Sequence, residues 1–326
     1  MKVIISGAAG FIGGNLMQSL LKKNIECLGI DSFTDYYALG MKIKRVEELK
    51  IKDFIVNNSI CDSTFVSDIF KEFEPTHVIH LAAQGGVRAS KHNPLPYIES
   101  NQLGFLNILK ASEHFRVKKF IYASSSSVYG EGSEAPFQES TNIFAPKSLY
   151  ALSKLSNELI AKHLPLGQTQ RIGLRLFTVY GPWGRPDMAI FRLLASAILE
   201  QPFDFTGNLS LVRDFTYVED VVAVILELLN LSSPGIEPEI YNVAGGRPYS
   251  FFDLFNILEQ MNIMVRLRER EQDSLDVQLT HGSTEKLRRA GLSVPNTSLE
   301  IGLQKTWDWM QNQDKSQLRA WFDYSK

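Results

Sequence analysis

The stretch that most constrains the fold is a short apolar run, Val3-Ile4-Ile5. It leads straight into Gly7-Ala8-Ala9-Gly10-Phe11-Ile12-Gly13, and an amphipathic pattern then continues to about Lys23. An apolar run bounded by glycine fits a buried strand. Glycines three residues apart permit a tight turn and close backbone approach, and a helix opening there directs its free N–H groups toward an anion. A second strand-like run, Cys27-Leu28-Gly29-Ile30, ends in Asp31, where an acid can meet the hydroxyls of a ribose. A glycine triplet alone is often a plain strand–turn–helix. With a strand before it, a helix after it and an acid ending the next strand, the stretch predicts a dinucleotide site. A carboxylate at 31 repels a 2′-phosphate, so NAD is favoured over NADP.

The same alternation continues. Phe54-Ile55-Val56 predicts a third strand, after a charged helical insert from Asp35 to Lys52. His77-Val78-Ile79-His80-Leu81-Ala82-Ala83 predicts a fourth, ending in Gln84-Gly85-Gly86-Val87-Arg88. His77 and His80 are read as sharing one face of that strand, packed beneath a helix, with no third group to suggest a metal. Tyr97 to Phe115 is expected as one long helix carrying Asn101. Strands alternating with helices imply a parallel sheet covered on both faces.

The chemistry is concentrated between Phe120 and Lys154. Phe120-Ile121-Tyr122-Ala123 reads as a buried strand and runs into Ser124 to Ser127 and Val128-Tyr129-Gly130. Ser148-Leu149-Tyr150-Ala151-Leu152-Ser153-Lys154 then opens a helix. Tyr150 and Lys154 are four apart and share a helix face. A nearby ammonium favours phenolate, so Lys154 is expected to lower the pKa of Tyr150. Ser125 at the strand end would hold the other side of a substrate oxygen. Together they form a proton relay for an alcohol–ketone pair.

Farther on, Arg171 to Phe177 returns to strand and enters the loop Thr178 to Ala189. Phe191 to Glu200 is helical, Val212 to Val218 leads into a helix through Leu229, and Ile240 to Val243 is a further strand. Arg266, Arg268 and Arg270 alternate as on a solvated strand face. The predicted fold is α/β, a Rossmann-type doubly wound parallel sheet with a smaller C-terminal α/β substrate lobe. The cofactor unit would cover 1–170, with strands near 172–177 and 240–243 returning to it, and 171–326 would mainly form the second lobe. A net charge of −2 gives no basic footprint for nucleic acid. No apolar run reaches the roughly 20 residues of a membrane helix, and Val3-Ile4-Ile5 is too short for a signal-peptide core. The two cysteines, Cys27 and Cys61, fit ordinary residues of a cytoplasmic protein.

The glycine turn, Asp31, the Ser124–Gly130 run, Tyr150 with Lys154, and Arg213-Asp214-Phe215-Thr216 together resemble an extended short-chain dehydrogenase/reductase over nearly the whole chain. More narrowly, the chain resembles the NAD-dependent UDP-glucuronate 4-epimerases. Asp35-Tyr36-Tyr37, Ala82 to Arg88, Ser148-Leu149-Tyr150-Ala151 and above all Phe177 to Ala189 carry that likeness. The resemblance implies Tyr150 as catalytic base, Lys154 as its partner at the nicotinamide ribose, and Ser125 on the 4-oxygen. Gly7, Gly10, Phe11, Ile12, Gly13, Asp31, Ser32, Ile60, Leu81, Ala82, Ala83 and Asn101 would serve NAD alongside Tyr150 and Lys154. Arg88, Ser126, Ser127, Met188 and Ala189 would line the sugar site. Arg213 and Arg270 would neutralise the diphosphate, and Thr178 and Arg185 would meet the sugar carboxylate, Arg185 by a two-pronged contact.

The reaction so implied is C4 epimerisation of UDP-glucuronate to UDP-galacturonate by a homodimer that serves uronate-containing polysaccharide synthesis. The alternatives are a UDP-hexose 4-epimerase, a UDP-glucuronate decarboxylase and a non-catalytic NAD sensor. Dehydratase relatives carry an Asp-Glu pair where this chain has Ser126-Ser127, and decarboxylases carry a glutamate at the position of Ser127.

Overall fold

The computed structural model describes residues 1–141, 145–165, 167–206, 208–231, 235–270 and 277–324, with the side chains at 206, 269 and 270 left out. The described residues form twelve strands. In chain order these are β1 (Lys2–Ser6), β2 (Glu26–Asp31), β3 (Ile55–Asn57), β4 (His77–His80), β5 (Lys119–Ser125), β6 (Gln170–Leu176), β7 (Thr178–Tyr180), β8 (Phe203–Thr206), β9 (Val212–Tyr217), β10 (Glu239–Val243), β11 (Pro248–Ser250) and β12 (Leu267–Arg270).

Seven of them make one parallel sheet in the order β10-β6-β5-β4-β1-β2-β3. Its middle strands are buried from end to end, as a sheet covered by helices on both faces requires. Successive residues face opposite sides. Val3 and Ile5 pack into one apolar cluster with Leu16, Met17 and Ile79, while Ile4 packs into another with Val78, Phe105 and Phe120. The chain order reverses between β1 and β4, so a crevice opens beyond the carboxyl ends of those strands, where ligands of such sheets bind.

A smaller sheet, β11-β9-β7, and a pair, β12-β8, lie beyond the end of β6. β7 begins two residues after β6 ends, so the segment from Thr178 leaves the main sheet at its carboxyl edge and enters the small one. Arg268 of β12 pairs with Asp204 of β8.

Two expectations are corrected. His77 and His80 stand three apart on β4 and therefore face opposite sides. His80 stacks among Phe105 and Phe120 with its Nδ1 2.8 Å from Ser6 Oγ, whereas His77 pairs with Thr76 Oγ1. The segment expected as one long helix is three: Leu95–Ile98, a π-helical turn at Glu99–Gly104, and Phe105–His114. Such a turn inserts a residue into the helical ladder and is frequent at functional sites. Here it turns Asn101 inward.

Candidate active site

The glycine turn sits at the mouth of the crevice. Gly7 adopts φ +76°, and a methyl group there would lie 2.6 Å from the backbone nitrogen of Ala82 at the end of β4. Only glycine lets β1 and β4 approach so closely. A side chain at Gly10 would come within 2.9 Å of the Gly7 carbonyl, and one at Gly13 would collide with the same oxygen. The helix Phe11–Lys22 that follows has no side chain capping its first turn, so its N–H groups remain directed at the crevice. Phe11 is buried and Ile12 half-buried beside them.

Asp31 ends β2 as a buried carboxylate. It accepts from Ala9 N at 3.0 Å and from Phe33 N at 2.8 Å, which fixes it against the glycine turn. Lys42 Nζ lies 3.8 Å from its Oδ1, a cation that sequence reasoning left inside a generic charged insert. Ser32 is exposed just beyond, and Ile60 is buried in the core below. Leu81, Ala82 and Ala83 line the crevice half-buried. Asn101 holds that strand end open. It accepts from Gln84 N at 2.7 Å and donates to Gln84 O at 3.0 Å and to Ser153 Oγ at 2.9 Å.

The helix Leu149–His163, N-capped by Ser148, lies along the end of β5. Tyr150, Lys154 and Glu158 occupy one face of it. Each faces a different residue at the end of β5: Tyr150 stands beside Ser125, close enough for that hydroxyl to favour the phenolate, Lys154 Nζ donates to Ala123 O at 2.8 Å, and Glu158 accepts from Ser124 Oγ at 2.5 Å. Glu158 also takes Arg175 of β6 through two bonds, at 3.0 and 2.8 Å. Ser125 further accepts from Ser127 N and donates to Ser127 Oγ, both at 3.1 Å, so the half-buried Ser126–Ser127 turn is tied to it.

The charge pattern differs from the sequence expectation. Burial raises the Tyr150 phenol above its ordinary value, and the groups that oppose this are Arg185 and Ser125. Lys154 is turned toward the Ala123 carbonyl, because a buried ammonium needs an acceptor more than it needs a neutral phenol. Burial also lowers Lys154 itself, to about 8.

Arg185 faces inward from the loop after β7. It stands close enough to Tyr97 and Tyr150 to favour their ionised forms, and Tyr97 packs edge-on to Tyr150 at 6.4 Å between ring centroids. Thr178, Arg185, Met188 and Ala189 line one small cavity with Gly181 and Gly184. Asp187, which sequence reasoning passed over, binds Arg185 through two bonds: Nε donates to Oδ1 at 3.0 Å and Nη2 to Oδ2 at 2.5 Å. Tyr36, from the Asp35-Tyr36-Tyr37 insert, donates to Asp187 Oδ2 at 3.3 Å. The signal for Asp187 was its spacing, an acid two residues from the arginine in a tight loop.

Arg45 ties these parts together. It is fully buried and donates to Ala9 O of the glycine turn, to Tyr37 Oη and to Trp183 O of the loop after β7. Arg213 is half-buried on β9, with Nη1 on the carbonyl of Val212. Arg88 is exposed after β4. Arg270 ends β12, and its side chain lies outside the described residues.

Residues 3–244 match the model of the NAD dependent epimerase/dehydratase family. The chain belongs to that family. A UDP-glucuronate 4-epimerase of Thermodesulfobacterium geofontis is 36% identical over 312 residues, covering 94% of this chain and 95% of the relative. The crystal structure of a UDP-glucuronic acid 4-epimerase from Bacillus cereus with UDP-glucuronic acid and NAD superposes with a TM-score of 0.87 at 31% identity, over 95% of this chain and 99% of that one. A UDP-glucose 4-epimerase from Thermotoga maritima with UDP-glucose superposes at 0.85 and 26% identity, over 95% and 99%.

As in the rest of the epimerase/dehydratase family, the cofactor is NAD. The residues present fit it. The glycine turn forms a cradle that any Cβ would fill, the uncapped helix end would receive a pyrophosphate, and Asp31, fixed against the turn, would meet the adenosine ribose. Among the described residues no helix is long and apolar enough to cross a membrane.

Proposed function

We propose that this sugar-nucleotide epimerase inverts C4 of UDP-glucuronate to give UDP-galacturonate. The observation that carries the proposal is the position of Arg185. Its guanidinium is turned into the cleft beside Tyr150, with its side chain only 24% exposed, and it lines one cavity with Thr178. A uronate differs from a hexose by a carboxylate at C6, and that group needs a cation or several donors.

When bound, NAD would supply the reversible hydride transfer at C4 that inversion requires. The chain's own residues control the proton and the position of the sugar. Tyr150 takes the proton of the 4-hydroxyl and gives it back. Ser125 would turn its one O–H from Ser127 Oγ to the 4-oxygen, while the bond it accepts from Ser127 N keeps its oxygen in place. Lys154 is the cation that would hold the nicotinamide ribose. Arg213 and Arg270 are assigned to the diphosphate, which lets the ring turn while its anchor stays fixed. A 4-keto uronate is a β-keto acid, so Arg185 and Thr178 must also keep the carboxylate from aligning its bond with the ketone.

Ser126-Ser127 supports this reading over dehydration or decarboxylation, because two hydroxyls of ordinary pKa supply neither a general acid nor a general base. Leu95, Ile98, Leu103, Leu152 and Leu159 stand exposed on neighbouring helices, an apolar face suited to a second copy of the chain. The competing reading is epimerisation of a neutral UDP-hexose, favoured by the fact that Asp187 already neutralises Arg185. Incubation with UDP-glucuronate and UDP-glucose in parallel, with products resolved by NMR, separates the two. Turnover of UDP-glucose alone would refute the uronate assignment. Arg185→Ala is expected to abolish selective uronate turnover, and uronate turnover that survives it intact removes Arg185 from the site.

A further inference from the structure

The cation assigned to the sugar carboxylate is engaged by a carboxylate of its own chain. Asp187 covers the Nε–Nη2 edge of Arg185, the edge that a free guanidinium would offer to an incoming acid. Tyr36 braces the pair. Its hydroxyl lies 3.3 Å from Asp187 Oδ2 and 3.5 Å from Arg185 Nη2, and Arg185 Cζ is 5.3 Å from the Tyr36 ring centroid. On the other side, Arg185 Nη1 fits against Gly85, where any side chain would meet it. Tyr97 holds that glycine by donating to Gly85 O at 2.5 Å and to Gly86 O at 2.8 Å. The guanidinium is therefore fixed on three sides.

We infer that Asp187 is a positioning residue. It occupies the side edge of Arg185, with Tyr36 on the other N–H of Nη2, so that the sugar carboxylate is taken only at Nη1, in one orientation. This rests on the uronate assignment made above. The arrangement reconciles the ion pair with a charged substrate. Asp187 holds Arg185 in place of water and lowers the attraction for the uronate, and in return the carboxylate plane is defined. That plane decides the fate of the 4-keto sugar. If the C5–C6 bond lines up with the ketone π system, it breaks, its electron pair enters an enolate across C4 and C5, carbon dioxide leaves, and C5 takes a proton from water. A carboxylate held in one orientation keeps that bond out of line. A carboxylate free to use either edge of the guanidinium does not.

The test uses the NAD-loaded enzyme with UDP-glucuronate, counting carbon dioxide released against UDP-galacturonate formed. Asp187→Asn keeps the volume and one acceptor. Asp187→Ala opens the whole edge. Both are expected to raise the share of carbon dioxide at least ~10-fold and to slow epimerisation by about 10- to 100-fold, the scale of a misplacement near 1 Å. KM for UDP-glucuronate should change far less. Retained NAD and an unchanged denaturation midpoint establish that the variants are folded, and the near-isosteric Asn variant reports even if the Ala variant fails to fold. An unchanged product ratio with unchanged kcat and a lower KM overturns the inference, because Asp187 would then be only a competitor for Arg185. Wild-type enzyme inert toward UDP-glucuronate instead overturns the uronate assignment itself.

Discussion

Lys154→Met should make the folded protein more stable while abolishing turnover. Lys154 is 2% exposed, and burial takes its ammonium from an ordinary 10.5 to about 8. At 1.36 kcal/mol per pH unit, holding that charge costs the folded state about 3 kcal/mol at pH 7. The sign follows from proton counting. Between about 8 and 10.5 the unfolded chain binds more protons than the folded one, so the penalty is complete below pH 8 and fades as pH rises toward 10.5. Methionine fills similar space without charge. It gives up the bond to Ala123 O, about 1 kcal/mol, so the net gain is about 2 kcal/mol at pH 7. Urea unfolding of both proteins at pH 7, stripped of NAD so that ligand linkage does not contribute, measures it. A lower midpoint for the methionine variant would show that the ammonium is stabilised where it sits, and the account of Lys154 as a strained functional group would be wrong.

Gly7→Ala forces a Cβ to within 2.6 Å of Ala82 N at a φ of +76°, and the purified variant should carry no NAD by absorbance. Arg171 is fully buried and donates to the carbonyls of Ala161, Leu164 and Pro165 at 2.7 to 2.9 Å and to Glu113 at 2.8 Å. Arg171→Met should therefore destabilise by about 3–5 kcal/mol in urea, with Arg171→Lys recovering part. Arg185 favours the ionised form of Tyr150. Arg185→Gln should shift the rising acid limb of kcat/KM for whichever UDP-sugar is turned over to higher pH, and an unmoved limb would separate the two residues electrostatically.

Much of the site was legible because it is local. The strand, glycine turn, helix and acid of residues 3–31 are read from spacing alone, since a turn that needs φ > 0 leaves glycine as its mark. The helix from Ser148 and the strand from Phe120 are visible in periodicity and capping. The π-helical turn at Glu99–Gly104 left no mark, because its apolar pattern is that of an ordinary helix and the inserted residue is imposed by Asn101 reaching Gln84 and Ser153.

By itself the sequence determined which chemistry the chain carries: a dinucleotide turn, a tyrosine and lysine on one helix face, and a serine at a strand end. These are short-range facts, fixed by residue type and helical or strand period. Only the tertiary structure decided how the charges are shared. Spacing placed Lys154 beneath Tyr150, but the folded chain gives Lys154 to Ala123 and sets Arg185, thirty-five positions after Tyr150, beside the phenol. A buried charge goes to whatever acceptor the packed chain brings within reach, and a contact between distant segments leaves no period in the sequence.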